Sequence, residues 1–181
     1  NGPPAARRTS FLSALPMNQQ NFSGEDASRQ FRNALGMFAT GITVVTTRTA
    51  SGEAVGLTVN SFNSVSLTPP LVVWSLSDHL PSRPAFEACE YYAINVLAED
   101  QIELSQRFAR RDGDRFLGLD FDDGIGGLPL LKGCCARFEC RNSVRHDGGD
   151  HRVFIGEVLS FARSERAPLI YFGGAYRELR A

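Results

Sequence analysis

Between Gly56 and Pro70, GLTVNSFNSVSLTPP, apolar side chains fall on alternate positions twice over, and the alternation breaks once. Leu57 and Val59 face one way with Thr58 and Asn60 opposite; Val65 and Leu67 then alternate with Ser64, Ser66 and Thr68. Each half predicts a strand with one apolar face. Ser61, Phe62 and Asn63 interrupt the rhythm, so the chain must turn or bulge there and leave backbone N–H groups outside the ladder. Free N–H groups beside small hydroxyls suit a phosphate. The segment therefore reads either as a ligand cradle or as an edge strand with a solvated Ser/Thr face.

Upstream, Phe31, Ala34, Leu35 and Phe38 share one face of a short predicted helix, with Ser28 as its cap and Gly41 as its end. The β-branched run from Ile42 to Thr49 predicts a strand, and Ser51-Gly52 the turn into the next pair of strands. Pro69-Pro70 predicts an extended connection into Leu71 to Leu76, a stretch apolar enough for burial on both faces. Arg83 to Cys89 reads as a helical turn and Tyr91 to Leu97 as a strand. A helix follows in which Leu97, Gln101, Leu104 and Phe108 recur at helical spacing. Glu99 and Asp100 at its start and Arg107, Arg110 and Arg111 at its end complement the helix dipole. Asp112 to Gly127 is a glycine- and aspartate-rich loop, long enough to suggest a function. Two strands around Cys134 to Val144 and His151 to Phe161 flank the turn HDGGD as a hairpin, and Pro168 to Tyr176 forms a last extended segment. Many short strands with few outer helices predict a mainly β fold, an antiparallel barrel or sandwich.

With 181 residues and 43% hydrophobic content, the chain suits one domain with a substantial core. A net charge of −1 provides no field to recruit nucleic acid or an anionic membrane, and no apolar run approaches a bilayer span. A soluble protein is expected. Residues 1–27 read as a flexible N-terminal arm, within which Met17 is a candidate natural start, and residues 28–181 as the folded domain. The cysteines Cys89, Cys134, Cys135 and Cys140 form no CxxC pair and fit reduced thiols in a cytoplasmic protein. There is no strand-bound G-x-G-x-x-G, no P-loop and no G-x-S-x-G, which argues against Rossmann dinucleotide binding, ATP hydrolysis and serine hydrolase chemistry. His146 and His151 flank Asp147 and Asp150 on the hairpin turn, where solvated side chains are expected and no metal.

Several of these segments occur in a recognisable order: FRNALGMFATGITVVTT, GLTVNSFNSVSLTPPLVVWSL, AINVL, LSQRF, GGDHRVFIGEV and PLIYFGGAY. Together, over residues 29 to 179, they resemble the flavin reductase-like, FMN-binding split-barrel family. The likeness is greatest to the short reductase components of two-component flavin-dependent monooxygenases. The resemblance implies an antiparallel split β-barrel with peripheral helices and an NAD(P)H-dependent flavin reductase. Its flavin would be FMN or FAD, reduced by NADH or NADPH and handed to a partner oxygenase, with the reductase itself a homodimer. By the same resemblance Thr58, Val59, Asn60 and Ser61, and Ser64, Val65 and Ser66, would meet the ribityl chain, the phosphate and the ring edge. Thr40, Gly41, Ile42 and Thr43 would lie along the ring, and Asn95, Val96 and Leu97 would line the pocket. Ser82 or Arg83 would contact phosphate. His151 and Tyr176 match positions near the nicotinamide and the flavin ring and are the candidate catalytic residues. The aromatic segments around Trp74 and Tyr91-Tyr92 are candidates for the dimer surface or for the core. A flavin-binding electron carrier or sensor on the same fold is the alternative function.

Overall fold

The computed structural model describes residues 22–179. Most of the expected arm, including Met17, lies outside the described residues. The elements in chain order are α1 (Ala27–Leu35), β1 (Thr40–Gly41), β2 (Thr43–Arg48), β3 (Ala54–Val59), β4 (Asn63–Leu67), β5 (Pro70–Ser77), α2 (Arg83–Ala88) and β6 (Tyr91–Val96). They continue with α3 (Ile102–Ala109), β7 (Phe121–Asp123), a 3-10 turn at Ile125–Gly127, β8 (Pro129–Leu131), β9 (Ala136–Asp147), β10 (His151–Arg163), β11 (Ile170–Phe172) and β12 (Ala175–Arg177).

Seven strands form one antiparallel sheet in the order β3-β2-β6-β9-β10-β5-β4. Its two outer strands, β3 and β4, are consecutive in the chain. Laid flat, seven strands would separate them by about 29 Å, six spacings of roughly 4.8 Å. The four Cα steps from Val59 to Asn63 reach at most about 15 Å. The sheet must therefore curl until its outer strands approach, and the result is a barrel with an unpaired seam between β3 and β4. Smaller sheets, β1-β11-β12 and β7-β8, lie outside it.

The barrel interior holds Val45, Leu57, Val72, Trp74, Leu76, Phe86, Tyr92, Ile94, Cys140 and Phe154. Trp74 stacks on Phe154 at 4.6 Å between centroids and meets Phe86 and Tyr92 edge-on. Gly156 in β10 makes this packing possible, because a Cβ there would lie 2.1 Å from the Tyr92 hydroxyl. The opposite side of β2 is also covered. Val44 and Ile42 pack with Leu97, Phe108, Leu131 and Leu169 beneath α3 and the outer strands.

Several local expectations change. Asp26, not Ser28, stands at the N-cap of α1, and Gly36, not Gly41, ends it. The apolar face of α1 packs against no core: Phe31, Leu35 and Phe38 are exposed. β3 and β4 do not pair with each other; β3 pairs with β2 and β4 with β5. Pro69-Pro70 makes no extended connection, since Leu67 already pairs with Pro70 across a tight reversal. β5 is buried on one face only, through Val72, Trp74 and Leu76. Trp74 and Tyr92 are fully buried and so belong to the core and not to a dimer surface. Part of the Asp112–Gly127 loop becomes β7. The last extended segment is a hairpin, its turn formed by Gly173 and Gly174 at φ 60° and 79°, a conformation other residues adopt only with strain.

Candidate functional site

The seam is where the interrupted alternation comes to rest. At Ser75 β4 has not yet begun, so that side of β5 lacks a ladder partner, and Ser61 supplies one. Its Oγ accepts from the Ser75 N–H at 3.0 Å and donates to the Ser75 carbonyl at 3.1 Å. The Ser61 hydroxyl is thus occupied in closing the barrel. In contrast, the backbone N–H groups of Asn60, Ser61 and Phe62 make no hydrogen bond among the described residues, and Asn60 and Ser61 are exposed. Ser64 is also exposed, its N–H taken by Asn63 Oδ1 at 2.8 Å. Ser66 accepts from the Thr68 N–H at the β4–β5 turn, and Val65 stands exposed between the two serines.

A second group gathers around β1 and the start of β2. Thr40 pairs with Tyr171 and Gly41 with Ile170. Thr40 Oγ1 is buried and has no partner among the described residues. Ile42 gives its N–H to Leu169 and its carbonyl to Leu97. Thr43 lies in an inner strand between Val59 and Val96, and its Oγ1 donates to the Val59 carbonyl at 3.1 Å. Thr58 donates to the Ser105 carbonyl at 2.7 Å, and the Ser105 hydroxyl bonds the Tyr176 hydroxyl at 3.0 Å. Thr40 to Thr43, Thr58, Val59 and Tyr176 therefore share one side of the barrel, joined through buried Ser105. Sequence reasoning missed Ser105; a serine at a core-facing helical position was the available signal.

Past the end of β5 lies a third group. His151 opens β10 opposite Ser77, and its Nδ1 bonds Asp150 Oδ1 at 2.7 Å. That hydrogen bond, reinforced by the imidazole's charge, holds the Asp150 carboxyl below its ordinary pKa. Arg83 is committed to two carboxylates, Glu87 at 2.9 Å and Asp78 at 3.1 Å. Glu87 also takes Arg152, which in turn meets Asp147, so α2 is tied to the β9–β10 hairpin. Sequence reasoning did not find this network, whose members are distant in the chain.

Asn95, Val96 and Leu97 are built into the fold. Asn95 is fully buried and its amide is saturated: it donates to the Val44 carbonyl and Thr46 Oγ1 and accepts from the Leu131 N–H. Leu97 is fully buried in the core, and Val96 pairs with Thr43 and Ala136. These residues brace β2 against β8. A cavity of about 1040 Å³ opens between α2, the β2–β3 hairpin and the loop before β7, lined by Gly56, Ser82, Ala85, Arg115 and Phe116 among others. Of the expected flavin contacts only Ser82 faces it. The donors at Asn60–Phe62 lie elsewhere, on the open seam, and their chemistry marks the candidate site better than the cavity's size does.

This arrangement can hold a ligand. It offers unpaired N–H donors beside hydroxyls, a buried orphan oxygen at Thr40 and an oriented imidazole, all of which fit a flavin's ring edge and polar chain. The flavin reductase like domain model matches residues 35–180. The chain is 50% identical over 162 residues to "FMN reductase (NADH) SmoA" of Agrobacterium fabrum, covering 90% of this chain and 92% of that protein. It is 42% identical to the reductase subunit HsaB of a flavin-dependent monooxygenase from Rhodococcus jostii, covering 82% of this chain and 76% of the relative. The solved NADH:FAD oxidoreductase SgcE6 of Streptomyces globisporus, in complex with NAD and FAD fragments, superposes with a TM-score of 0.80 at 35% identity, covering 84% of this chain and 93% of that one.

Proposed function

Because the chain belongs to the flavin reductase like domain family, we propose that it is an NAD(P)H-dependent flavin reductase that delivers reduced flavin to a separate monooxygenase. FMN or FAD is the flavin and NADH or NADPH the reductant. The reading is carried by one observation: in a chain with this family match, the Asn60–Phe62 interruption presents three backbone N–H groups that are unpaired among the described residues at the barrel seam. Flavin held at this seam would supply the hydride-accepting ring, and the residues of the chain would position it against the nicotinamide.

That reaction needs two flat rings held at a near-attack distance of roughly 3–3.5 Å, so the protein's work is positioning. Thr40–Thr43 form the wall along the flavin, with Thr40 Oγ1 as a hydroxyl awaiting a partner. The Asn60–Phe62 N–H groups donate where negative charge develops on the ring, in the manner of an oxyanion hole. Ser64 and Ser66 meet the polar chain. Tyr176, fixed by Ser105, borders the ring. His151 faces the nicotinamide, its imidazole oriented by the Asp150 bond at Nδ1, which leaves Nε2 for the substrate.

A homodimer belongs to this reading. Phe31, Leu35, Met37 and Phe38 are exposed at or just after α1, as are Leu67 of β4 and Phe161 of β10, each more than half open. Apolar surface of this extent favours a second copy. A cytoplasmic location completes the reading, supported by four free cysteines. No helix among the described residues is long and apolar enough to cross a membrane. Oxidation of NADH or NADPH by purified protein with added FMN or FAD tests the proposal. A folded protein that binds flavin but leaves the nucleotide unoxidised would instead be the carrier or sensor.

A further inference from the structure

We propose that Arg115, in the cavity it shares with Ser82, is the cation that receives the flavin's phosphate. This inference rests on the flavin reductase reading. Arg83, the cation suggested by sequence, is poorly suited to the task. Its guanidinium already serves Glu87 and Asp78, so its charge is matched by carboxylates before any phosphate arrives.

Arg115 is placed differently. Among the described residues it forms no ion pair; it donates through Nη1 to the Gly56 carbonyl at 2.6 Å and through Nη2 to the Arg110 carbonyl. Two carbonyls fix the plane of the guanidinium without neutralising it, and three of its five N–H groups remain for a ligand. A partly buried guanidinium without a counter-ion is costly, and burial lowers its pKa from the ordinary value. A phosphate supplies the missing charge and accepts in the fork geometry. Other charged groups also line the cavity. Arg111 adds to the positive side, and Glu53, Glu90 and Asp114 to the negative. Asp114 is turned to the Phe116 N–H at 2.8 Å, while Arg48 is paired with Asp123.

The position also suits the ligand. Gly56 and the donor segment lie on the same outer strand and its exit. From Gly56 to Asn60 that strand advances about 13 Å at roughly 3.3 Å per residue, the order of a ribityl chain with its phosphate. Ser82 lines the cavity as well, with 8% of its surface exposed and no cap hydrogen bond made to α2. A phosphate anchored between Arg115 and Ser82 would let the ring reach the Asn60–Phe62 donors.

Flavin fluorescence quenching gives the dissociation constants of FMN and riboflavin, and their ratio isolates the phosphate from any general loss of fold. Arg115→Gln should weaken FMN by about tenfold or more while riboflavin stays within about twofold, because a bond to a charged group is lost. Arg115→Lys should keep most of the preference for FMN, and Arg83→Gln should leave it unchanged. The opposite pattern, with the preference lost in Arg83→Gln and kept in Arg115→Gln, overturns the proposal. So does a rise in the KM for NADH in Arg115→Gln with the flavin ratio intact, which would assign the cation to the nucleotide's pyrophosphate. If the wild-type protein oxidises no nucleotide, the functional reading fails while the binding ratio still reports on Arg115.

Discussion

Ser61→Ala separates two roles that the sequence alone would merge. The variant removes a hydroxyl that both accepts from and donates to Ser75 across the seam. A typical hydrogen bond contributes about 0.5–1.5 kcal/mol net, and exposed Ser75 groups can turn to water, so the two together should cost about 1–2 kcal/mol. In a chain of this size that loss lowers Tm by roughly 2–8 °C. Urea titration at fixed protein concentration should give a lower midpoint and an unchanged m-value, since the folded state's compactness is kept. FMN and riboflavin should weaken together, because the loop moves as a whole. Ser64→Ala is the contrast: its exposed hydroxyl has no partner among the described residues, so stability should stay within about 0.5 kcal/mol of wild type. Unchanged stability in Ser61→Ala, with FMN weakened and riboflavin spared, would refute the seam-closing role and make Ser61 a phosphate ligand.

Other perturbations reach different parts of the account. Gly156→Ala should cost about 1–3 kcal/mol by overpacking the Tyr92 hydroxyl, and Tyr92→Phe in the same chain should recover part of it; denaturation curves of the single and double variants check this. Burial raises the Cys134 and Cys140 thiols from an ordinary 9.0 to about 12. The fold favours their protonated form, so this contribution to stability is complete below pH 9.0 and is lost as pH rises towards about 12. Thiolate absorbance in the far ultraviolet should therefore lag in native protein behind urea-unfolded protein across that window. His151→Ala should raise the KM for the nucleotide or slow flavin bleaching by about 1–2 kcal/mol of transition-state stabilisation with FMN affinity unchanged, as stopped-flow at saturating FMN would measure. Light scattering should give a dimer mass for the wild type, and Phe31→Ser with Phe38→Ser should shift it towards monomer.

Local periodicity located the strands, although not every one buries a single alternating face: β2 is buried on both, and β4 leaves Val65 and Leu67 exposed. The rhythm of Leu57, Val59, Val65 and Leu67 located β3 and β4 and the break between them, and the HDGGD turn located the β9–β10 hairpin. It could not say which strands pair. That β3 and β4 become opposite edges follows from the short link and the curl of the whole sheet, a long-range property. The Leu71–Leu76 run misled for a related reason, since apolar content does not distinguish a face packed inside a barrel from one half covered by neighbours. At the site, hydroxyls and amides were legible as a class, but their partners were not. The Ser61 hydroxyl and the Asn95 amide are taken up by bonds within the fold, whereas Arg115, in a glycine-rich loop, forms no ion pair among the described residues. Side-chain commitments of this kind are set by residues tens of positions away, such as Ser75, Leu131 and Gly56.

Steady-state oxidation of NADH and NADPH, followed with FMN, FAD or no flavin added, shows whether the protein turns flavin over. Flavin-dependent turnover that saturates in both flavin and nucleotide is the predicted result. A folded protein with neither nucleotide oxidised in the presence of either flavin would contradict it.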